Sequence, residues 1–165
     1  MNEIIRVLVD STYILPAFGI KVIGLGDEVL LKLERLRIRR LVNFFYTDII
    51  WVEIIPKVEK EYRDRNIELT PETFESIIES LYETFTNIAP GLKALREAYR
   101  LRMLGHRDMI DNLLYGIAVE NNLYLLSQDR VFKEFLRRNN LSYEVLLDHQ
   151  ELFKRVNEVD SSAIH

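Results

Sequence analysis

Short apolar runs separated by stretches of helical period narrow most sharply the folds open to this chain. Residues 4–9 (IIRVLV) run apolar up to Asp10, and LVNFFY (41–46), LYLL (123–126) and SYEVLL (142–147) share that length and character. Runs this short and this apolar fit strands buried on both faces. Helical patterns lie between them. Residues 27–40 carry Val29, Leu30, Leu33 and Leu36 on one side. A helix from Asp48 to about Arg65, with Thr47 as its cap, is apolar at Ile50, Ile54 and Val58. Thr70-Pro71 opens another, striped by Phe74, Ile77, Ile78, Leu81 and Phe85. A basic helix over 92–104 ends at Gly105, and one over 107–120 turns Ile110, Leu114, Ile117 and Ala118 inward. Short helices over 130–138 and 149–157 complete the pattern. The alternation predicts an α/β fold with a central parallel sheet covered by helices on both faces. No repeat, low-complexity tract or linker interrupts it, so residues 1–158 are expected to form one domain and the tail 159–165 to fray.

Several function classes fall away on composition. The chain has no cysteine, which removes disulfides, thiolate metal sites and a cysteine nucleophile together. Arg6, Asp10 and Lys21 break the apolar N-terminal stretch, and no other segment approaches the roughly 20 uncharged residues of a membrane span. A secretory signal is not recognisable either, so a cytoplasmic protein without membrane attachment is expected. The net charge of −4 argues against indiscriminate wrapping of nucleic acid. Its distribution is uneven. Residues 30–42 and 93–107 each hold five positive charges and one negative, whereas residues 53–83 hold nine acids against four bases. Such segregation is compatible with basic patches that meet phosphates around an acidic centre, and equally with solvated helix faces.

In doubly wound sheets, function gathers at the carboxyl ends of the strands. Asp10 closes the first strand, and Asp129 follows LYLL after Ser127 and Gln128. Either acid alone is explained as a helix cap. Asp111 and Glu53 are harder to dismiss, because both lie inside helical patterns among apolar neighbours, where a carboxylate needs a partner or a cation. A salt bridge to an arginine is the ordinary explanation for Glu53. Four acids sharing one crevice would require a hard dication such as Mg²⁺ or Mn²⁺, and the three histidines show no zinc-type spacing. Phosphodiester hydrolysis is the chemistry such an ion supports.

The segments VLVDST (7–12), DIIWVEII (48–55) and DNLLYGIAVENNLYLLSQDRVF (111–132) together resemble the PIN domain, the nuclease fold of VapC-type toxins and of many archaeal RNases. The matches span residues 4–147. The resemblance implies a PIN-like three-layer α/β/α fold and a Mg²⁺- or Mn²⁺-dependent endoribonuclease. Asp10, Glu53, Asp111 and Asp129 are the positions onto which the family's metal-binding acids carry over, supported by Ser11 and by Ser127, which stands where the family commonly has threonine. RNA as substrate, a homodimer and an antitoxin partner are implied with it. The region 66–104 is longer than in small VapC toxins. Arg37, Arg39 and Arg40, in the first basic segment, are candidates for RNA backbone contact.

Two other classes remain open at this point. A phosphatase using Asp10 as nucleophile would want a second aspartate two residues on, where Thr12 stands; a receiver domain would want paired acids and a late lysine that are missing at the matching places. A non-catalytic RNA- or protein-binding module of the same fold is the other. A pocket lined only by apolar groups beside Asp10 would favour it.

Overall fold

The structure, a computed structural model, describes residues 4–162. Its centre is a parallel sheet of β1 (Ile5–Val9), β2 (Val42–Tyr46), β3 (Thr86–Asn87), β4 (Tyr124–Leu126) and β5 (Leu146–Leu147), in the order β3-β2-β1-β4-β5. Successive residues of a strand point to opposite faces, and Val7, Leu8 and Val9 are each at most 1% exposed. Both faces of β1 are therefore covered, which is why its sequence is apolar rather than alternating. The covering helices are α1 (Asp27–Ile38), α2 (Trp51–Asp64), α3 (Pro71–Thr84), α4 (Leu92–Met103), α5 (Met109–Asn121), α6 (Arg130–Arg138) and α7 (His149–Ser162). One hydrophobic core joins Ile5 to Val156. The strand order reverses direction at β1, so the sheet's switch point, where ligands of such folds bind, falls at the carboxyl ends of β1 and β4.

Helix boundaries follow local chemistry. Thr70 Oγ1 accepts from the Thr73 amide at 3.2 Å and Pro71 takes the first helical position of α3, as expected. Asn122 ends α5 in the left-handed conformation, with φ at 53°. Helices α4 and α5 form an antiparallel pair joined by small residues. Ala94 and Ala98 are buried, and a methyl group on Gly116 would come within 2.3 Å of the Ala94 carbonyl oxygen. At the far end of the pair, Glu120 of α5 caps α4, accepting from the amides of Gly91 and Lys93 at 2.8 and 3.1 Å.

Four expectations need correction. The run 142–147 is a strand only at Leu146–Leu147; Tyr143–Val145 form a 3-10 turn, in which the Tyr143 and Val145 amides donate to the Leu141 and Ser142 carbonyls. Residues 48–50 likewise form a 3-10 turn ahead of α2, and Thr47 is buried without capping it through its side chain. Strand β3 follows α3 directly and has no apolar run to announce it. The tail expected to fray from residue 159 continues α7 through Ser162; residues 163–165 lie outside the described residues.

Candidate active site

β1 and β4 lie side by side with Val9 opposite Leu126, and an acid follows close on each. The Asp10 amide donates to the Leu126 carbonyl at 3.2 Å, so the side chain starts where the ladder ends. Its Oδ1 accepts from the Thr12 amide at 2.9 Å, and the hydroxyls of Ser127 and Thr12 hydrogen-bond the same carboxylate. Across the ladder, the buried Ser127 is tied by its amide to the Leu147 carbonyl, and its Oγ accepts from the Asp129 amide at 3.1 Å. Asp129 in turn caps α6, with Oδ1 accepting from Phe132 at 2.8 Å, and lines a hollow of about 360 Å³ shared with Lys133, Asp148 and Glu151.

Helix α5 delivers the third acid. Asp108 caps it by accepting from the amides of Ile110 and Asp111, which leaves Asp111 in the first turn. Glu53, half-buried in the first turn of α2, is ion-paired with Lys57 one turn on. An ordinary salt bridge is therefore present, though to a lysine and not to the arginine expected. It does not isolate Glu53 from the other acids. Burial first, and then the charges of Asp108, Asp129, Asp10 and Glu53 in that order, together lift the Asp111 carboxyl to about 7. Asp10 is lifted to about 6, chiefly by burial; hydrogen bonds from Ser127 and Thr12 oppose the rise and the charge of Glu53 adds to it. All four acids selected from the sequence thus act within one electrostatic field. Capping accounts for one oxygen each of Asp10 and Asp129 and does not account for that mutual repulsion.

The donor set is all carboxylate, which suits a hard dication. Among the described residues no three Asp, Glu or His side chains already converge into a cage.

Support for Asp10 comes from Thr12 and Ser127. Ser11 is buried, and its carbonyl accepts from the Ile14 amide within the turn. Thr12 was legible as the third residue of Asp-Ser-Thr, a sequence in which the aspartate accepts from the amide two residues on. A second pair has no sequence signal. His106, six residues before the buried Asn112, hydrogen-bonds it through Nδ1 at 2.8 Å and brings Nε2 to 3.9 Å from Asp111 Oδ2. Arg37 is held by Glu34 along α1, and Arg39 and Arg40 lie in the turn entering β2. Those two arginines stand at the amino ends of the strands, the opposite edge of the sheet from Asp10.

No family model matches the chain, and no curated protein matches its sequence. Solved structures do. PAE2754 from Pyrobaculum aerophilum is 15% identical with a TM-score of 0.58, covering 93% of this chain and 96% of that one. VapBC-1 from nontypeable Haemophilus influenzae is 15% identical with a TM-score of 0.59, covering 88% of this chain and 99% of that one. At this identity the likeness is one of fold: the architecture is PIN-like, an α/β/α arrangement around a parallel sheet.

Proposed function

We propose that this chain is a Mg²⁺- or Mn²⁺-dependent endoribonuclease that hydrolyses RNA phosphodiester bonds. The observation that carries the reading is the shared field of the acids, in which Asp10, Glu53, Asp108 and Asp129 all raise the carboxyl of Asp111. Like charges at this range call for a cation. In this reading Asp10, Asp111 and Asp129 hold the ion, and Glu53 completes the set or orients a water bound to it. The bound ion supplies a polarised phosphoryl oxygen and a water of lowered pKa. The protein's own groups set the geometry. Ser127 and Thr12 aim the Asp10 carboxylate, Ser127 also fixes the Asp129 backbone, and Asp108 orients the first turn of α5 so that Asp111 faces inward. The basic segment 93–107 ends at Arg107, immediately before the Asp108 cap, and offers positive charge for the RNA backbone beside the acids.

The same reading takes in a homodimer in the cytoplasm, acting as the toxin of a toxin–antitoxin pair or as an RNA-processing nuclease; the fold likeness to VapBC-1 supports the antitoxin partner. No described helix is long and apolar enough to cross a membrane. The test is incubation of the purified protein with structured and unstructured RNAs, with and without Mg²⁺ or Mn²⁺. Cleavage is expected only with metal and is abolished in Asp111→Asn. Metal-independent cleavage, or full activity in Asp111→Asn, overturns the reading.

A non-catalytic binding module is favoured by one observation, a cavity of about 310 Å³ against Val9, Tyr13 and Leu126, next to the acids in sequence. The cavity is not purely apolar, because Glu34, Arg37 and Thr84 also line it. RNA retained but uncut with every ion would favour the module.

A further inference from the structure

His106 lies outside the acid set and faces it, and its hydrogen bonds determine which nitrogen does so. The buried Asn112 donates through Nδ2 to the His106 carbonyl at 3.1 Å. A carbonyl oxygen only accepts, so the amide of Asn112 cannot be reversed, and Oδ1 is the atom that meets His106 Nδ1 at 2.8 Å. An acceptor at that position requires Nδ1 to carry the proton. In the neutral ring the lone pair then belongs to Nε2, which lies 3.9 Å from Asp111 Oδ2. The ring is held between these bonds and the side chains of Phe132 and Phe135, with centroids 4.4 and 5.0 Å away. Two acceptors thus face each other across a span too long for a hydrogen bond. It lies within the range, from about 3.0 Å for adjacent to about 4.2 Å for opposite positions, spanned by two coordinate bonds of ~2.1 Å made to one cation. A histidine whose other ring N–H is anchored in this way is also held as metal-binding histidines are held.

Building on the metal-dependent reading above, we infer that His106 Nε2 is a nitrogen ligand of the cation that Asp111 holds, so that the site takes a transition dication such as Mn²⁺ in preference to Mg²⁺. Imidazole is a softer donor than a carboxylate. It contributes to the binding of first-row transition ions, whereas Mg²⁺ is held by oxygen ligands and water. Asn112 is the positioning residue: it fixes the tautomer and the aim of the ring without touching the ion.

The test uses the full, untagged chain with MnCl₂ or MgCl₂ alone and no RNA. Electron spin-echo spectroscopy of bound Mn²⁺ is expected to show nitrogen modulation from one imidazole, and His106→Ala to abolish it. In equilibrium titrations the wild type should bind Mn²⁺ at least tenfold more tightly than Mg²⁺. His106→Ala should lower Mn²⁺ affinity about tenfold or more while changing Mg²⁺ affinity little, and Asn112→Ala should give a loss of about tenfold for Mn²⁺. The wild-type spectrum needs no variant, so a His106→Ala chain that failed to fold would leave the test intact. Mn²⁺ bound without nitrogen modulation, and no more tightly than Mg²⁺, overturns the inference and leaves the metal-dependent reading standing. Binding of neither ion overturns both.

Discussion

Asp111 is the residue on which folding and chemistry pull in opposite directions. Its carboxyl titrates at about 7 in the folded chain, because of burial and four neighbouring charges, while an unfolded aspartate titrates near pH 4. The folded state therefore holds this proton more tightly than the unfolded state. The resulting stabilisation is complete below about pH 4 and is lost as pH rises through 7; Asp10, raised to about 6, acts in the same direction. Without metal the protein should melt lower at pH 8 than at pH 5. After discounting for the partial exposure of Asp111, the loss is about 2 kcal/mol, or ~5 °C for a chain of this size. Asp111→Asn should remove most of that difference, and an unchanged pH slope in the variant would rule out the shared field. Asp108→Asn is the contrasting case. Asparagine caps a helix as well as aspartate does, so this variant should lose little stability and keep most metal-dependent cleavage. Loss of cleavage in Asp108→Asn alone would place the functional acid one helical turn earlier. Asp10 and Asp129 could be picked out from sequence because each follows a strand, and Asp111 because it lies among apolar residues in a helical pattern. The facing of His106 and Asp111 could not, since it depends on the path of residues 104–108.

At the scale of elements, the α4–α5 pair is the most tightly constrained joint. Gly116 leaves no room for a Cβ against the Ala94 carbonyl, and that obstacle is backbone, which cannot rotate out of the way as a side chain would. Gly116→Ala should therefore destabilise by about 2 kcal/mol although alanine is the better helix former, read as a lower urea midpoint at unchanged slope. A midpoint at or above that of wild type would show that the helices separate at little cost. The helices with an uninterrupted apolar stripe or a capping residue, α3 above all, were legible because those signals are local. Strand β3 was not: two residues carry no period, and what makes them a strand is the ladder offered by β2, a tertiary fact with no trace in their own sequence. Strand β5 was legible only as part of the longer run 142–147, because its pairing with β4 takes in Leu146 and Leu147 alone. The same holds for the 3-10 turn at Tyr143–Val145, where local hydrogen bonds compete successfully with strand pairing in an apolar segment.

Across the whole molecule, Arg39 and Arg40 of the first basic segment and the acids occupy opposite edges of the sheet, whereas Arg37 lines the cavity against Val9. Arg39 and Arg40 lie before β2, and β1 separates that level from Asp10 by five residues, roughly 16 Å. If Arg39 and Arg40 contact RNA, only a strand long enough to span the sheet can register them. Replacing both with alanine should lower the salt dependence of binding for a long single strand by about 0.7 per lost contact. A trinucleotide should be bound and cut as before. Equal weakening of both substrates would mean that these arginines support the fold. The sheet imposes a further condition on assembly. Its two outermost strands are each two residues long. A visiting peptide that tried to extend the ladder would find scarcely a single pair of backbone groups to join. Fibril-like growth from either margin is starved at its first step, and any protein that recognises this molecule must read side chains on its helices and loops instead of borrowing its backbone.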